Sequence, residues 1–230
     1  MKALPKLLPT TAEGESFGGV TYHIDGELVP VLTVDVSKMP VFFEHHILLW
    51  KHAEVEIGLK AMKGALKRMM AGMQIFVTEA SGSGMIAFSR DGAGHIAPIH
   101  LKAGTEIQVR EHQFLAATGN IGYTFERVRG AANMLFGGSG FFIDRFWAES
   151  DGIVWLHGYG NVFEKVLEPG EIIDIEPGGW LYKDPEVKME TIVGRLTAGF
   201  FGGMNFIVNR FTGPGRVGIQ SMYLHMPSGD

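Results

Sequence analysis

The sequence has no cysteine, no surplus of positive charge and no long apolar run, and each absence removes a class of function. Without cysteine, disulfide frameworks, thiolate catalysis and sulfur-ligated zinc sites are excluded. Lys and Arg total 20 against 25 Asp and Glu, a net charge of −5, so there is no general attraction for a phosphate backbone, and nucleic acid is not an expected partner. Two stretches of fourteen residues carry no charge, Gly130 to Ile143 and Leu196 to Asn209. Both fall short of the roughly 20 residues a membrane-crossing helix needs, and both carry several glycines. They read as buried strands and turns. The opening MKALPKLLPT has two lysines and two prolines but not the apolar core of a signal peptide, and a cytoplasmic location is expected.

Glycine, by contrast, is abundant: 32 of 230 residues, about twice the usual ~7%. Each glycine inside a helix costs roughly 1 kcal/mol relative to alanine, whereas a protein of many tight turns uses its access to positive φ. The 46% hydrophobic and 20% charged content is that of an ordinary globular chain. A chain of this length buries roughly 70–75% of its unfolded surface, enough to hold together without a metal. Short period-two runs such as GRVGIQSMY, GMIAFSR, GIVWLHG and EIIDIE, bounded by glycine and proline, are strand signals. No long helical pattern competes with them.

An internal repeat organises these strands. LFGGSGFFIDRF (Leu135–Phe146) matches FFGGMNFIVNRF (Phe200–Phe211) at six of twelve positions, Arg145/Arg210 among them, and MMAGMQIFVTEA is a weaker earlier copy. Val41, Ile107 and Ile173 open three similar strands, and Gly26, Gly92 and Gly158, read as turn glycines, keep the same step of about 66 residues. The economical reading is an all-β protein of three tandem units, residues 24–90, 91–156 and 157–225, about a pseudo-threefold axis, with no linker between them.

The closing segment FFGGMNFIVNRFTGPGRVGIQS, together with GLKAMKGALKRMMAG and the openings LKAGTEIQVRE and LEPGEIIDIEPGG, resembles the altered inheritance of mitochondria protein 24 family over about Ile24 to Tyr223. The resemblance implies a fold similar to the tryptophan RNA-binding attenuation protein (TRAP), a short double-stranded β-helix, three per chain, with chains assembling as homotrimers into a ring of nine units. The family brings no established activity, hence no catalytic residue and no cofactor. The chain departs from the family's pattern at Ser37–Pro40, where SKMP replaces the usual turn.

Chemistry-bearing motifs are sparse. GPGRVG (Gly213–Gly218) has the letters of a dinucleotide fingerprint but precedes a strand, not a helix, and reads as a hairpin turn. GGSGF lacks the last glycine of a nucleophile elbow. Glu106/Glu111 and Glu171/Glu176 sit five apart, on opposite faces of a strand. The nine histidines, including His45, His46, His52, His95, His100 and His112, contain no His-x-His pair of the kind a cupin-like metal site needs, and read as structural. Arg145 and Arg210 could form a repeated anion or subunit contact; a guanidinium satisfied by backbone carbonyls at a strand end is preferred, because Glu79 stands at the matching first-unit position.

The segment GLKAMKGALKRMMAGM spaces Leu59, Met62, Leu66, Met69 and Met73 at three and four residues, with Lys60, Lys63, Lys67 and Arg68 on the rest of the turn and Met70 beside them. Such a basic amphipathic pattern suits an anionic membrane or an unidentified protein partner, although Gly64 and Gly72 favour a turn packed on the body. A non-enzymatic scaffold or binding protein is the expected function; peripheral membrane association, an RNA-binding ring and a cupin-like enzyme are the alternatives.

Overall fold

The computed structural model describes residues 3–44, 46–61, 76–128, 141–197 and 203–222. Among these residues there are strands and turns and no helix. The first seven strands are β1 (Lys6–Leu7), β2 (Ala12–Phe17), β3 (Val20–Asp25), β4 (Val31–Asp35), β5 (Val41–Phe43), β6 (Leu48–Lys51) and β7 (Val55–Ala61). They are followed by β8 (Phe76–Gly82), β9 (Met85–Phe88), β10 (Gly94–Leu101), β11 (Glu106–Arg110), β12 (Phe114–Thr118), β13 (Ile121–Val128) and β14 (Phe141–Ala148). The last seven are β15 (Gly152–Tyr159), β16 (Val162–Leu167), β17 (Ile172–Ile175), β18 (Trp180–Lys183), β19 (Lys188–Thr197), β20 (Gly203–Thr212) and β21 (Gly215–Gln220).

Their side-chain patterns explain their positions. In β3, Val20, Tyr22 and Ile24 are buried and alternate with half-buried Thr21 and His23, the period-two signature of a strand with one face on a core. GIVWLHG instead becomes β15, buried along nearly its whole length. A strand with packing on both faces reads as a continuous apolar run.

Four antiparallel sheets result, in strand orders β2-β3-β4-β9-β6, β10-β15-β12-β5-β8-β7, β1-β16-β21-β18-β11-β14-β13 and β17-β20-β19. Three apolar cores lie between them. The first takes Tyr22, Leu32 and Ile86 from the five-stranded sheet and Phe43, Ala116 and Trp155 from the six-stranded one. The second takes Phe42, Ala117 and Leu156 from the opposite face of the six-stranded sheet and Val109, Phe146 and Tyr182 from the seven-stranded one. The third takes Trp180 and Val217 from the seven-stranded sheet and Ile175 and Phe211 from the three-stranded one. Sheets and cores therefore alternate, with a sheet of each smaller kind at either end.

One strand grouping recurs. The triplets β4-β9-β6, β10-β15-β12 and β16-β21-β18 each lie side by side, as do β5-β8-β7, β11-β14-β13 and β17-β20-β19. Val41, Ile107 and Ile173 stand opposite Ala80, Phe146 and Phe211 in matching ladders. A register shift falls at the same place in β6, β12 and β18, between Leu48/Trp50, Phe114/Ala116 and Trp180/Tyr182.

Two sequence expectations need correction. Gly158 is not a turn residue: it lies inside β15, where an added Cβ would come within 2.3 Å of Val162 Cγ2, so close packing, not φ, requires the glycine. Gly213–Gly215 turns between β20 and β21, but these strands belong to different sheets, so it is a crossover and not a hairpin.

Candidate functional site

Arg145 on β14 and Arg210 on β20 are held by carboxylates, not by the carbonyls expected from sequence. Arg145 donates through Nε and Nη2 to Glu106 at 2.7 and 2.8 Å and through Nη1 to Glu126. Arg210 makes a two-pronged pair with Asp174 on β17, both bonds 2.8 Å. The fork of guanidinium donors matches a carboxylate laid across neighbouring strands. At the first-unit position the polarity is reversed: Lys60 on β7 faces Glu79 on β8 at 3.3 Å. With their partners supplied inside the chain, these sites are strand clamps.

Lys60 is committed further. Its Nζ donates to the Gly119 carbonyl at 2.6 Å and lies 5.0 Å from the Phe42 ring centre. Leu59 and Lys60 belong to strand β7, so the helical spacing read from sequence fails at its start. Lys63, Lys67, Arg68, Met69 and Met70 lie outside the described residues.

The histidines are dispersed. His46 and His112 both have left-handed backbones, φ 69° and 65°, at the same tight turn following β5 and β11; Gly178 and Gly179 follow β17. His95 is buried and bridges two segments: Val162 N–H donates to its Nδ1 at 3.1 Å, and its Nε2 lies 2.7 Å from the Pro9 carbonyl. His100 stacks on Phe17 with ring centres 4.5 Å apart. Among the described residues no group of three or more His, Asp or Glu could hold a metal ion.

Glu44 and Glu176 directly follow β5 and β17, Arg110 ends β11, and bonds around these positions tie one strand group to the next. Arg90 bridges Glu44 at 2.8 Å and donates to the Phe114 carbonyl at 3.1 Å. Arg110 and Gln220 both donate to the Gly178 carbonyl, at 2.9 and 2.8 Å. Nearby Asp144 is buried and accepts from Tyr123 Oη at 2.9 Å. Burial pushes its carboxyl up to about 7, partly offset by that hydrogen bond. Burial also pushes His157 down to about 4. Neither residue stood out in the sequence, because burial is the main cause of both shifts.

Strand β6 presents a run of apolar side chains to the surface. Leu48, Leu49 and Trp50 are 42%, 56% and 43% exposed. At the matching places, Phe114, Leu115 and Ala116 of β12 and Trp180, Leu181 and Tyr182 of β18 are buried. A run of exposed apolar side chains at a sheet edge marks an interaction surface. Ile172 on β17 and Val193 on β19 are also exposed, at 46% and 59%.

Comparison with known proteins agrees with the geometry. The crystal structure of a Streptococcus pyogenes protein superposes with a TM-score of 0.66 at 21% identity, covering 89% of this chain and 94% of that one, which establishes a shared fold. No protein in a search of curated sequences matches. The model of the mitochondrial biogenesis AIM24 family matches residues 22–222, nearly the whole of the strand framework just described. The chain belongs to the mitochondrial biogenesis AIM24 family.

Proposed function

We propose that this protein is a non-enzymatic scaffold or binding protein, made of three tandem TRAP-like double-stranded units (24–90, 91–156 and 157–225) in pseudo-threefold arrangement and acting in the cytoplasm as a homotrimeric ring. The observation that carries the reading is the threefold recurrence of the strand triplets with matching registers and bulges. Such a body repeats its surface, and its repeated arginines are used internally. Its recognisable capacity is to present a surface to copies of itself and to a protein or membrane partner.

Exposed apolar residues on β6 support self-association. Each of Leu48, Leu49 and Trp50 already hides about half its surface, so covering them contributes about 3 kcal/mol per contact. An RNA-binding ring has the net charge of −5 against it. Membrane attachment loses Lys60, whose ammonium is occupied by Glu79 and the Gly119 carbonyl.

Light scattering on a sizing column tests the reading. The expected particle has three times the 25.2 kDa chain mass at micromolar concentration. A monomer at every concentration tried removes the ring.

A further inference from the structure

The sheet orders specify how one copy meets the next. Inside the chain, β12 lies against β5 and β18 against β11, and each contact fuses two strand triplets into one wide sheet. The series leaves one strand over at each end. On the outward side of β6, the counterpart of β12 and β18, no strand is present among the described residues; the same holds for β17, the counterpart of β5 and β11. A strand edge is a row of backbone donors and acceptors ready for another strand. These two edges are of the kinds that already pair with each other twice in this molecule.

We propose that β6 of one copy pairs antiparallel with β17 of the next, in the register Trp50 opposite Ile175 and Lys51 opposite Asp174. This inference rests on the ring reading above and adds its contact. The register follows from the two internal contacts. Ala116 faces Phe43 and Ala117 faces Phe42; Tyr182 faces Val109 and Lys183 faces Gln108. The ladders β6·β9, β12·β15 and β18·β21 place Trp50 with Ala116 and Tyr182, and Lys51 with Ala117 and Lys183, each directly after the shared bulge. The ladders of β5, β11 and β17 likewise match Phe43 with Val109 and Ile175.

Two properties of the edges agree with this register. Ala116 and Phe43 share the first core and Tyr182 and Val109 share the second; Ile175 lies in the third core, which is where an inserted Trp50 ring becomes covered. Asp174 stands opposite Arg210 on β20, so Lys51 on its other side completes a row of alternating charge across three strands, a favourable cross-strand arrangement. The five-stranded sheet of one copy and the three-stranded sheet of its neighbour become one eight-stranded sheet between two cores, as the two wide sheets are within the chain. A head-to-tail contact of unlike edges gives a closed ring when its rotation closes.

The absence of cysteine makes the register directly testable. Directly opposed residues of an antiparallel pair have Cα atoms about 4.5–5.5 Å apart, inside disulfide range. Under mild oxidation, Lys51→Cys with Asp174→Cys in one chain should link most of the protein into dimers and trimers on a denaturing gel. Lys51→Cys with Ile172→Cys, displaced by two residues, should link at least tenfold less, and Lys51→Cys alone not at all. Efficient linking by Lys51→Cys alone means that β6 pairs with itself about a twofold axis, and overturns the inference. So does a trimeric particle whose 51/174 pair does not link, a result that leaves the ring reading standing. A monomeric 51/174 variant of a monomeric wild type overturns both.

Discussion

At the scale of single residues, the chain's titratable groups are shaped by burial more than by chemistry directed at a ligand. Asp144 shows this best. Its carboxyl is raised from 3.8 to about 7, first by desolvation, while the Tyr123 hydroxyl pulls the other way. The folded state holds a proton that the unfolded state has already released, so this contribution to stability is full below about pH 4 and is lost as pH rises through 7. His157 behaves oppositely: lowered from 6.5 to about 4, it strengthens the fold as pH rises between those values and is neutral in both states above them. Between pH 6 and 8 the unfolded-state His157 still titrates and acts the other way, so the loss due to Asp144, about 1 kcal/mol, is read as a difference between the wild type and a variant without this carboxyl. Urea unfolding at those two pH values should show the wild type losing about 1 kcal/mol relative to Asp144→Asn, which keeps an acceptor for Tyr123. Equal pH dependence in both proteins would mean that Asp144 is ionised throughout. Glycine 218 is a second residue-scale lesson: a Cβ there would lie 2.2 Å from Tyr182 Cε1, so an aromatic ring lies over the glycine directly across the ladder, a pairing in which the ring covers what the glycine leaves bare.

At the scale of elements, equivalent strands differ because of where they stand in the series. Trp50 on β6 and Ala116 on β12 occupy matching ladder positions, yet Trp50 is exposed and Ala116 is fully buried. An aspartate at each position should separate folding from assembly. Ala116→Asp places an unpaired charge between two sheets and should cost several kcal/mol, roughly 3–5, seen as a large fall in melting temperature. Trp50→Asp should leave the melting temperature of the dilute protein within a few degrees of wild type but weaken self-association at least tenfold. If Trp50→Asp unfolds the chain as readily as Ala116→Asp, β6 is an ordinary core strand. Much of this framework was legible in the sequence: Val41, Ile107 and Ile173 do open equivalent strands, and EIIDIE, GMIAFSR and GIVWLHG do form β17, β9 and β15. The Arg145 and Arg210 clamps were half legible, since their recurrence was plain but their carboxylate partners sit on strands made adjacent only by the fold. The edge role of β6 was not legible at all. ILLWK, FLAAT and WLYK are equally apolar, and exposure of the first depends on the series having an end, which no local pattern encodes. Leu59 and Lys60 misled in another way, because a three-and-four spacing of apolar residues over a short span can begin inside a strand.

At the scale of the whole molecule, alternating sheets and cores make a series that each chain begins with a five-stranded sheet and ends with a three-stranded one. A monomer leaves both end sheets one neighbour short; a closed ring leaves none. That is the physical reason behind the closed ring proposed above. Two-dimensional class averages of the purified protein under the electron microscope test this most directly. The predicted image is a closed ring of threefold symmetry with nine similar lobes. Compact particles of twofold symmetry, or open filaments of no fixed length, would contradict it.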